Sequence, residues 1–228
     1  MPRLKWIAAV LCLLLPLAAK ADEGTYPIAA DDGEIIANHP ISPELEAQLA
    51  KLSDTVVAGN PNGRITLTEF YDVNCGYCRA ASPDLDAMLR TNPELRLVLV
   101  PFPVLGVPSV LGTRVELAVM RLTTPEKFYQ FHRLLDQTRG TVDGMRAIAT
   151  AQQIGLDPQQ ILKIANDPQF AEVMKAHLHM GDALQVAATP GFIIKGVVIV
   201  GYPGPKSMAN VIRAVGACGA VICKSGAN

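Results

Sequence analysis

The chain has 228 residues, a formal net charge of −1 at pH 7, 50% hydrophobic residues and 18% charged residues. This length suits one large domain or two small ones, and the hydrophobic content is sufficient to bury a core. The 18 glycines and 17 prolines follow no repeat, which excludes collagen-like and low-complexity classes. No segment concentrates basic side chains, so the sequence predicts no nucleic-acid partner.

The first 21 residues have the three-part pattern of a secretory signal. Arg3 and Lys5 give a positive start, residues 7–17 form an apolar stretch, and a small-residue cleavage motif ends at Ala21. We predict cleavage before Asp22. The apolar stretch is too short to cross a bilayer, so we expect an exported protein without stable membrane insertion.

A polar N-terminal extension is predicted over residues 22–58, the main domain over 59–217, and a C-terminal tail over 218–228. In the extension, Ser42 is a predicted N-cap and Pro43 the first residue of a short helix. One face of this helix carries Leu45, Leu49 and Leu52. That face either docks on the same domain or forms a dimerising arm.

The main domain is predicted to be α/β. A turn at residues 59–63 leads into a strand at 65–71, a helix at 75–89 and a strand at 95–100, which together form a βαβ unit. About five helices follow over residues 109–186, and then a hairpin at 192–200 and a closing helix at 205–215. The apolar stripes of the helical segment are expected in the core: Leu111, Val115, Ala118, Leu122, Phe128, Phe131, Leu135, Met145 and Ile148.

Cys75 and Cys78 form a Cys-Gly-Tyr-Cys motif that follows a predicted strand and opens a helix. A pair in this position is typical of a dithiol redox site. The unpaired amides and the positive dipole end of the helix would stabilise a Cys75 thiolate and lower its pKa. Cys78, one turn further in, would be the shielded thiol that attacks a mixed disulfide.

Two other roles for this pair stay open. A structural disulfide would be a strained link across only two residues. Zinc ribbons need a second Cys-x-x-Cys, whereas Cys218 and Cys223 are five positions apart and distant in sequence. Two thiolates can also hold Cu(I). We predict no bound metal.

Glu69 shares a strand face with Ile65 and Leu67, six residues before Cys75. In a sheet covered on both sides, its carboxyl group would be buried near the cysteines. Burial would raise its pKa and let it accept or return the proton of Cys78. On an edge strand it would instead be solvated.

The sequence resembles the DsbA-like thioredoxin-fold oxidoreductases of bacterial envelopes over roughly residues 55–216. The resemblance is carried by these segments: Gly59-Asn60-Pro61, Thr66-Leu67-Thr68-Glu69-Phe70, Cys75-Gly76-Tyr77-Cys78, Phe102-Pro103-Val104-Leu105-Gly106, Phe128-Tyr129-Gln130-Phe131-His132 and Ala188-Thr189-Pro190-Gly191-Phe192.

The resemblance implies a thioredoxin fold with a helical insertion at about residues 107–187. It also implies that Pro190 is a cis-proline facing the cysteines, and that Thr189, with Gly76 and Tyr77, contacts substrate peptides. The expected activity is introduction of disulfides into unfolded or reduced exported proteins in the periplasm. A membrane redox partner would recycle the pair, without a cofactor.

The Gly-Tyr dipeptide departs from the Pro-His of DsbA and looks more like that of DsbC-type isomerases, as does Thr189 before the proline. Tyr77 cannot supply the charge of a histidine. Isomerase or reductase activity, and a copper- or peptide-binding module, therefore remain alternatives.

Cys218 and Cys223 cannot pair on an unbroken helix, because an i,i+5 separation places their Cα atoms about 8.6 Å apart. A tentative structural disulfide requires the helix to end near Gly216 or Gly219. The alternatives are two free thiols or a second redox pair.

The four histidines show no ligand-like spacing, and His177 is expected to be a hydrogen-bonded core residue.

Overall fold

The computed structural model describes residues 25–223, and the predicted signal lies outside them. The described residues form six strands: β1 (Asn38–Pro40), β2 (Val56–Gly59), β3 (Ile65–Tyr71), β4 (Leu95–Pro101), β5 (Gly191–Ile194) and β6 (Val197–Val200). They form eight helices: α1 (Pro43–Leu49), α2 (Gly76–Thr91), α3 (Val107–Leu122), α4 (Pro125–Asp136), α5 (Gly144–Gln153), α6 (Pro158–Ala165), α7 (Gln169–Ala183) and α8 (Pro205–Cys218).

The strands form one sheet in the order β1-β6-β5-β3-β4-β2. β3 and β4 are parallel, as a βαβ unit requires, and the other neighbours are antiparallel. The predicted α/β thioredoxin fold is confirmed, with α3 to α7 inserted between β4 and the β5–β6 hairpin. No helix within residues 25–223 is both long and apolar enough to span a bilayer.

Side chains alternate between two cores along β3. Ile65, Leu67 and Tyr71 belong to the larger core, which contains most of the inserted helices. Phe70 points to the other face, where the leucine face of α1 covers a smaller core. The N-terminal helix therefore docks on its own domain, in agreement with the first of its two interpretations.

The N-terminal extension contributes more than the expected helix, because β1 and β2 are the two edge strands of the sheet. Neither edge strand has a distinctive sequence pattern. β1 reads Asn-His-Pro and β2 has only four residues. Pro40 is tolerated in β1 because an edge strand can leave an amide unpaired. The pairing of β1 with β6 is visible only in the three-dimensional structure.

Two members of the predicted apolar stripes are not in the core. Leu111 is 45% exposed and Met145 is 74% exposed, whereas Val115, Ala118 and Phe131 are buried. The reason is local packing: the backbone of Gly144 in α5 approaches Leu111 in α3 closely. At this point small residues make the helix contact and the larger side chains remain outside.

Candidate active site

Cys75 lies just beyond the C-terminal end of β3, the strand paired with both β4 and β5. A tight turn connects the two, in which the amide of Cys75 donates to the carbonyl oxygen of Asp72 (2.9 Å). Cys75 is the N-cap of α2 and has extended backbone angles. The sequence thus brings this cysteine from the middle of the sheet to the start of a helix.

The Sγ atom of Cys75 accepts a hydrogen bond from the amide of Cys78 (3.2 Å) and lies 3.1 Å from the carbonyl oxygen of Thr189, to which the thiol donates. The largest influence on this thiol is a hydrogen bond with the side chain of Cys78. Together with smaller effects of Thr189 and of the Cys78 and Tyr77 amides, it lowers the pKa of Cys75 to about 6 despite burial. Thiolate is therefore the main form of Cys75 at neutral pH.

Cys78 has the opposite environment. Both cysteines are 4% exposed, but Cys78 lies inside α2 on its buried face, whereas Cys75 lies at the N-cap. Burial, together with the hydrogen bond to Cys75 and the negative field of Glu69, raises the pKa of Cys78 far above its ordinary value. One thiol of the pair is activated and the other is held in its protonated form, as predicted from their positions in the helix.

The peptide bond between Thr189 and Pro190 is cis, and this loop lies against Cys75 through the contact with the Thr189 carbonyl group. Of the two residues between the cysteines, Tyr77 is 75% exposed and Gly76 has open space around its Cα. Gly76 and Tyr77 are thus exposed beside Cys75, whereas Thr189 is half-buried and Pro190 is buried.

Glu69 is 3% exposed and lies on a strand that has neighbours on both sides, so the solvated edge-strand alternative is wrong. Burial, only partly offset by the nearby His132, raises the pKa of Glu69 to about 8. Glu69 and Cys78 line the same small cavity of about 10 Å³. The carboxyl group therefore has the placement and the protonation range of a proton donor and acceptor for Cys78.

Three further ionisable residues lie behind Glu69 and were not singled out from the sequence. Glu116 on α3 and His132 and Asp136 on α4 are almost entirely buried. Tyr71 donates a hydrogen bond from its hydroxyl to Glu116 Oε1 (2.9 Å). The i,i+4 spacing of His132 and Asp136 is the one signal that could have suggested them, but such pairs are common on solvated helix faces.

The carboxylate of Asp72, which is 1% exposed, fixes the loop beside the active site. Its Oδ2 atom accepts from the amides of Val104 (2.8 Å) and Leu105 (2.9 Å), and its Oδ1 atom accepts from the hydroxyl of Ser109 (2.6 Å). Val104 and Leu105 are 45% and 52% exposed. Two exposed apolar side chains are thereby held by Asp72, whose carbonyl oxygen also accepts from the amide of Cys75.

Cys218 and Cys223 are joined by a disulfide with Cα atoms 6.0 Å apart. The helix ends at Cys218, and Gly219 takes a left-handed conformation with φ of 72° that turns the chain back.

His177 is fully buried, with its ring nitrogens 2.9 Å from the carbonyl oxygens of Pro101 and Ser53. Within residues 25–223, no group of three or more His, Cys, Asp or Glu side chains is arranged to hold a metal ion.

Thiol–disulfide exchange needs one thiol that is readily ionised and a second that attacks from a shielded position. A thioredoxin sheet presents such a pair here, with a helical insertion beside it. The fold and the site thus define a DsbA-like thiol–disulfide oxidoreductase. A family comparison matches residues 51–214, more than half of the chain, to the thioredoxin family, so the chain belongs to that family.

Solved structures give the same result, whereas curated protein sequences give no significant match. A thioredoxin-like oxidoreductase from Silicibacter pomeroyi is 28% identical, with a TM-score of 0.66, and the match covers 73% of this chain and 95% of that one. A periplasmic thioredoxin-like protein from Salmonella enterica serovar Typhimurium is 25% identical, with a TM-score of 0.68 and coverage of 77% and 97%.

The thiol–disulfide exchange protein alpha-DsbA2 from Wolbachia pipientis shares the fold at 20% identity, with a TM-score of 0.66 and coverage of 75% and 96%.

Proposed function

We propose that this protein is a periplasmic thiol oxidase that introduces disulfides into unfolded or reduced exported proteins through Cys75 and Cys78. The observation that carries the proposal is the asymmetry between the two thiols. A low pKa at Cys75 stabilises the reduced protein, so the disulfide form gives up its bond readily to a substrate thiol.

The reaction balances within the pair. A substrate thiolate attacks the Sγ atom of Cys75, the Cys75–Cys78 bond breaks, and Cys78 leaves with the electron pair and takes up a proton. A second substrate thiolate attacks the substrate sulfur of the mixed disulfide and releases Cys75 as its thiolate. The substrate is oxidised by two electrons and the protein is reduced, so a membrane redox partner must reoxidise the pair.

Two features support the substrate class and the compartment. Exposed apolar side chains at Tyr77, Val104 and Leu105 suit unfolded polypeptides better than folded surfaces. The carbonyl group of Thr189 lies on an irregular loop 3.1 Å from Cys75 Sγ, where an extended peptide could pair. The predicted signal and the likeness to a periplasmic protein support export.

Isomerase or reductase activity is the second candidate, and the Gly-Tyr dipeptide favours it. At pH 7 a pKa near 6 stabilises the reduced form by about 1.4 kcal/mol, which corresponds to about 30 mV. That amount is small beside the difference of about 150 mV between thioredoxin and DsbA. Tyr77 brings no positive charge to increase it. A copper- or peptide-binding module with the same groove is the third candidate.

The equilibrium reduction potential decides between these functions. It would be measured against glutathione buffers in a variant with Cys218 and Cys223 replaced by serine, so that only one pair titrates. A reduction potential of about −120 mV supports the oxidase, and a potential of about −270 mV rejects it in favour of a reductase or isomerase. Loss of turnover in Cys75→Ser is expected in either case, and unchanged turnover would contradict both.

A further inference from the structure

The ionisable residues behind Cys78 form one connected group, here called the His132 cluster: Glu69, Tyr71, Glu116, His132 and Asp136. His132 Nδ1 lies 3.6 Å from Glu116 Oε1, and His132 Nε2 lies 3.4 Å from Asp136 Oδ2. The imidazole is packed edge-on against Tyr71, with ring centroids 4.5 Å apart. One histidine thus lies between two carboxyl groups within a buried region.

The cluster cannot be fully ionised. Glu69 is 3% exposed, Glu116 is 0% exposed and His132 is 6% exposed, while the side chain of Asp136 is 9% exposed. Three carboxylates and one imidazolium would leave two uncompensated negative charges away from water, which is energetically prohibitive. The cluster must therefore retain protons at neutral pH. These protons lie next to the thiol that has to gain and lose one in each cycle.

A cavity connects this group to the reacting sulfur. It is lined by Cys78, Glu69, Ser82, Tyr129 and His132 together with three leucines, and its volume is about 10 Å³. That is close to the space one water molecule needs, and the lining offers several polar partners. Two cluster atoms, His132 Nδ1 and Asp136 Oδ2, are buried without a hydrogen-bond partner among residues 25–223. Unpaired buried atoms of this kind suit groups that exchange protons.

We propose that His132 carries protons between Glu69, beside Cys78, and Asp136, at the outer edge of the cluster. This inference rests on the proposed thiol–disulfide exchange and names a residue that acts through Glu69. When the Cys75–Cys78 bond breaks, Glu69 protonates the departing Cys78 thiolate, and His132 returns a proton to Glu69 through the cavity that both side chains line. Asp136, which lies 3.4 Å from His132 Nε2, takes up a proton from solvent and passes it to His132. When Cys78 attacks a mixed disulfide, its proton takes the reverse path as the substrate thiolate leaves.

The protonation ranges fit this path. Burial raises the pKa of Glu69 to about 8. Burial disfavours a charged imidazole, but Asp136 and Glu116 outweigh it and raise the pKa of His132 to about 9. Groups with similar pKa values exchange protons at little cost in either direction. Glu116 itself is anchored by Tyr71, so it compensates the imidazolium charge from a fixed position.

Other polar, charged or titratable groups lie around the cluster and limit where a proton can leave it. Thr113 on α3 lies 3.5 Å from Glu116. Tyr129 lines the cavity, and its hydroxyl contacts Asp86, which forms ion pairs with Arg90 and Arg133. Cys75 adds to the negative field at Glu69. Because Asp86 is already paired with two arginines, Asp136 is the better exit for a proton.

The test follows the step in which Cys78 must lose its proton. The reduced, full-length protein is mixed with oxidised glutathione, and the glutathione adduct on Cys75 is quantified over time after acid quenching, from pH 5 to pH 9. In His132→Gln we expect loss of the adduct to be about tenfold slower at pH 7 and to recover as the pH rises, because hydroxide replaces the relay. The matched control is His177→Gln, which removes a buried histidine whose ring nitrogens contact the carbonyl oxygens of Pro101 and Ser53, and it should follow the wild type.

A double-mutant cycle separates a relay from a structural effect. If His132 acts through Glu69, the substitution His132→Gln slows the step in the wild-type background but not in Glu69→Gln. Equal slowing in both backgrounds overturns the proposal, as does a His132→Gln pH profile that superimposes on the wild type. Asp136→Asn, at the edge of the cluster, replaces His132→Gln in the same cycle if the latter does not fold. Failure of the wild-type protein to form the glutathione adduct would reject the proposed function itself.

Discussion

The amide nitrogen of Cys78 lies 3.2 Å from the Sγ atom of Cys75 and donates to it, so the cysteine inside helix α2 stabilises the charge of the cysteine that caps the helix. This bond arises because Cys75 occupies the N-cap of α2, where the amide three residues later has no helical acceptor. The spacing of two residues in the motif follows directly from this geometry.

The pKa of Cys75 should respond to the side chain at position 78. Absorbance of the thiolate at about 240 nm should titrate near pH 6 in the wild type, with thiolate increasing as the pH rises. In Cys78→Ala we expect the pKa of Cys75 to move upward, because the side-chain donor is lost while the amide remains. Cys78→Ser keeps a donor and serves as the control, with a smaller shift. An unchanged titration in Cys78→Ala would contradict the hydrogen-bond assignment.

Replacement of Glu69 by glutamine should make stability less dependent on pH. The carboxyl pKa is raised from an ordinary value of 4.5 to about 8 in the folded protein, so its protonated form favours folding below pH 4.5 and this contribution is lost as the pH rises to about 8. As the pH rises from 4.5 to about 8, the free energy of unfolding of Glu69→Gln should increase relative to that of the wild type. The increase should be up to about 1.4 kcal/mol per pH unit.

Urea unfolding at pH 5 and at pH 8 measures this difference. Glu172→Gln is the control, because the side chain of Glu172 is 73% exposed and its loss should have the same small effect at both pH values. A constant difference between Glu69→Gln and the wild type would show that Glu69 is ionised in the folded protein throughout.

A positive charge at position 77 should make the protein more oxidising. Tyr77 is 75% exposed, so histidine is accommodated there without repacking. The imidazolium would stabilise the Cys75 thiolate, and one pKa unit of further stabilisation corresponds to about 30 mV in reduction potential. We expect Tyr77→His to raise the potential by tens of millivolts in glutathione buffers. Tyr77→Phe should leave it unchanged, and an equal shift in both variants would exclude the charge as its cause.

Asp72→Asn should loosen the loop beside the active site. The buried carboxylate accepts from two loop amides and from Ser109, and an amide nitrogen in place of one oxygen would face a donor. We expect a loss of about 2–4 kcal/mol in the free energy of unfolding and faster hydrogen exchange at Val104 and Leu105.

Asp157→Asn is the matched control for Asp72→Asn. Asp157 caps α6 by accepting from the amide of Gln159, and asparagine is an equally good N-cap. Its free energy of unfolding should change little. Unaltered exchange at Val104 and Leu105 in Asp72→Asn would mean that the loop is held by other contacts.

The sequence predicted the central part of the fold well because its signals are local. β3 is rich in β-branched and aromatic residues after a proline-containing turn, and the period of two placed Glu69 on the same face as Leu67. The edge strands β1 and β2 were missed because they are short and acquire strand structure from their partners. The stripe containing Leu111 was wrong at Leu111 alone, because periodicity identifies a face but not how far a neighbouring helix covers it.

The sequence alone determined the cysteine pair, the helix that begins at this pair, and the position of Glu69 on the preceding strand. Each of these depends on spacing within about ten residues of chain. The His132 cluster was decided only by tertiary structure. Two inserted helices supply Glu116, His132 and Asp136. These are residue types that usually lie on the surface, and their burial against β3 makes them a group that retains protons beside Cys78. No pattern along the chain encodes this proximity, because the charge and the pKa of these groups depend on the solvent that packing removes.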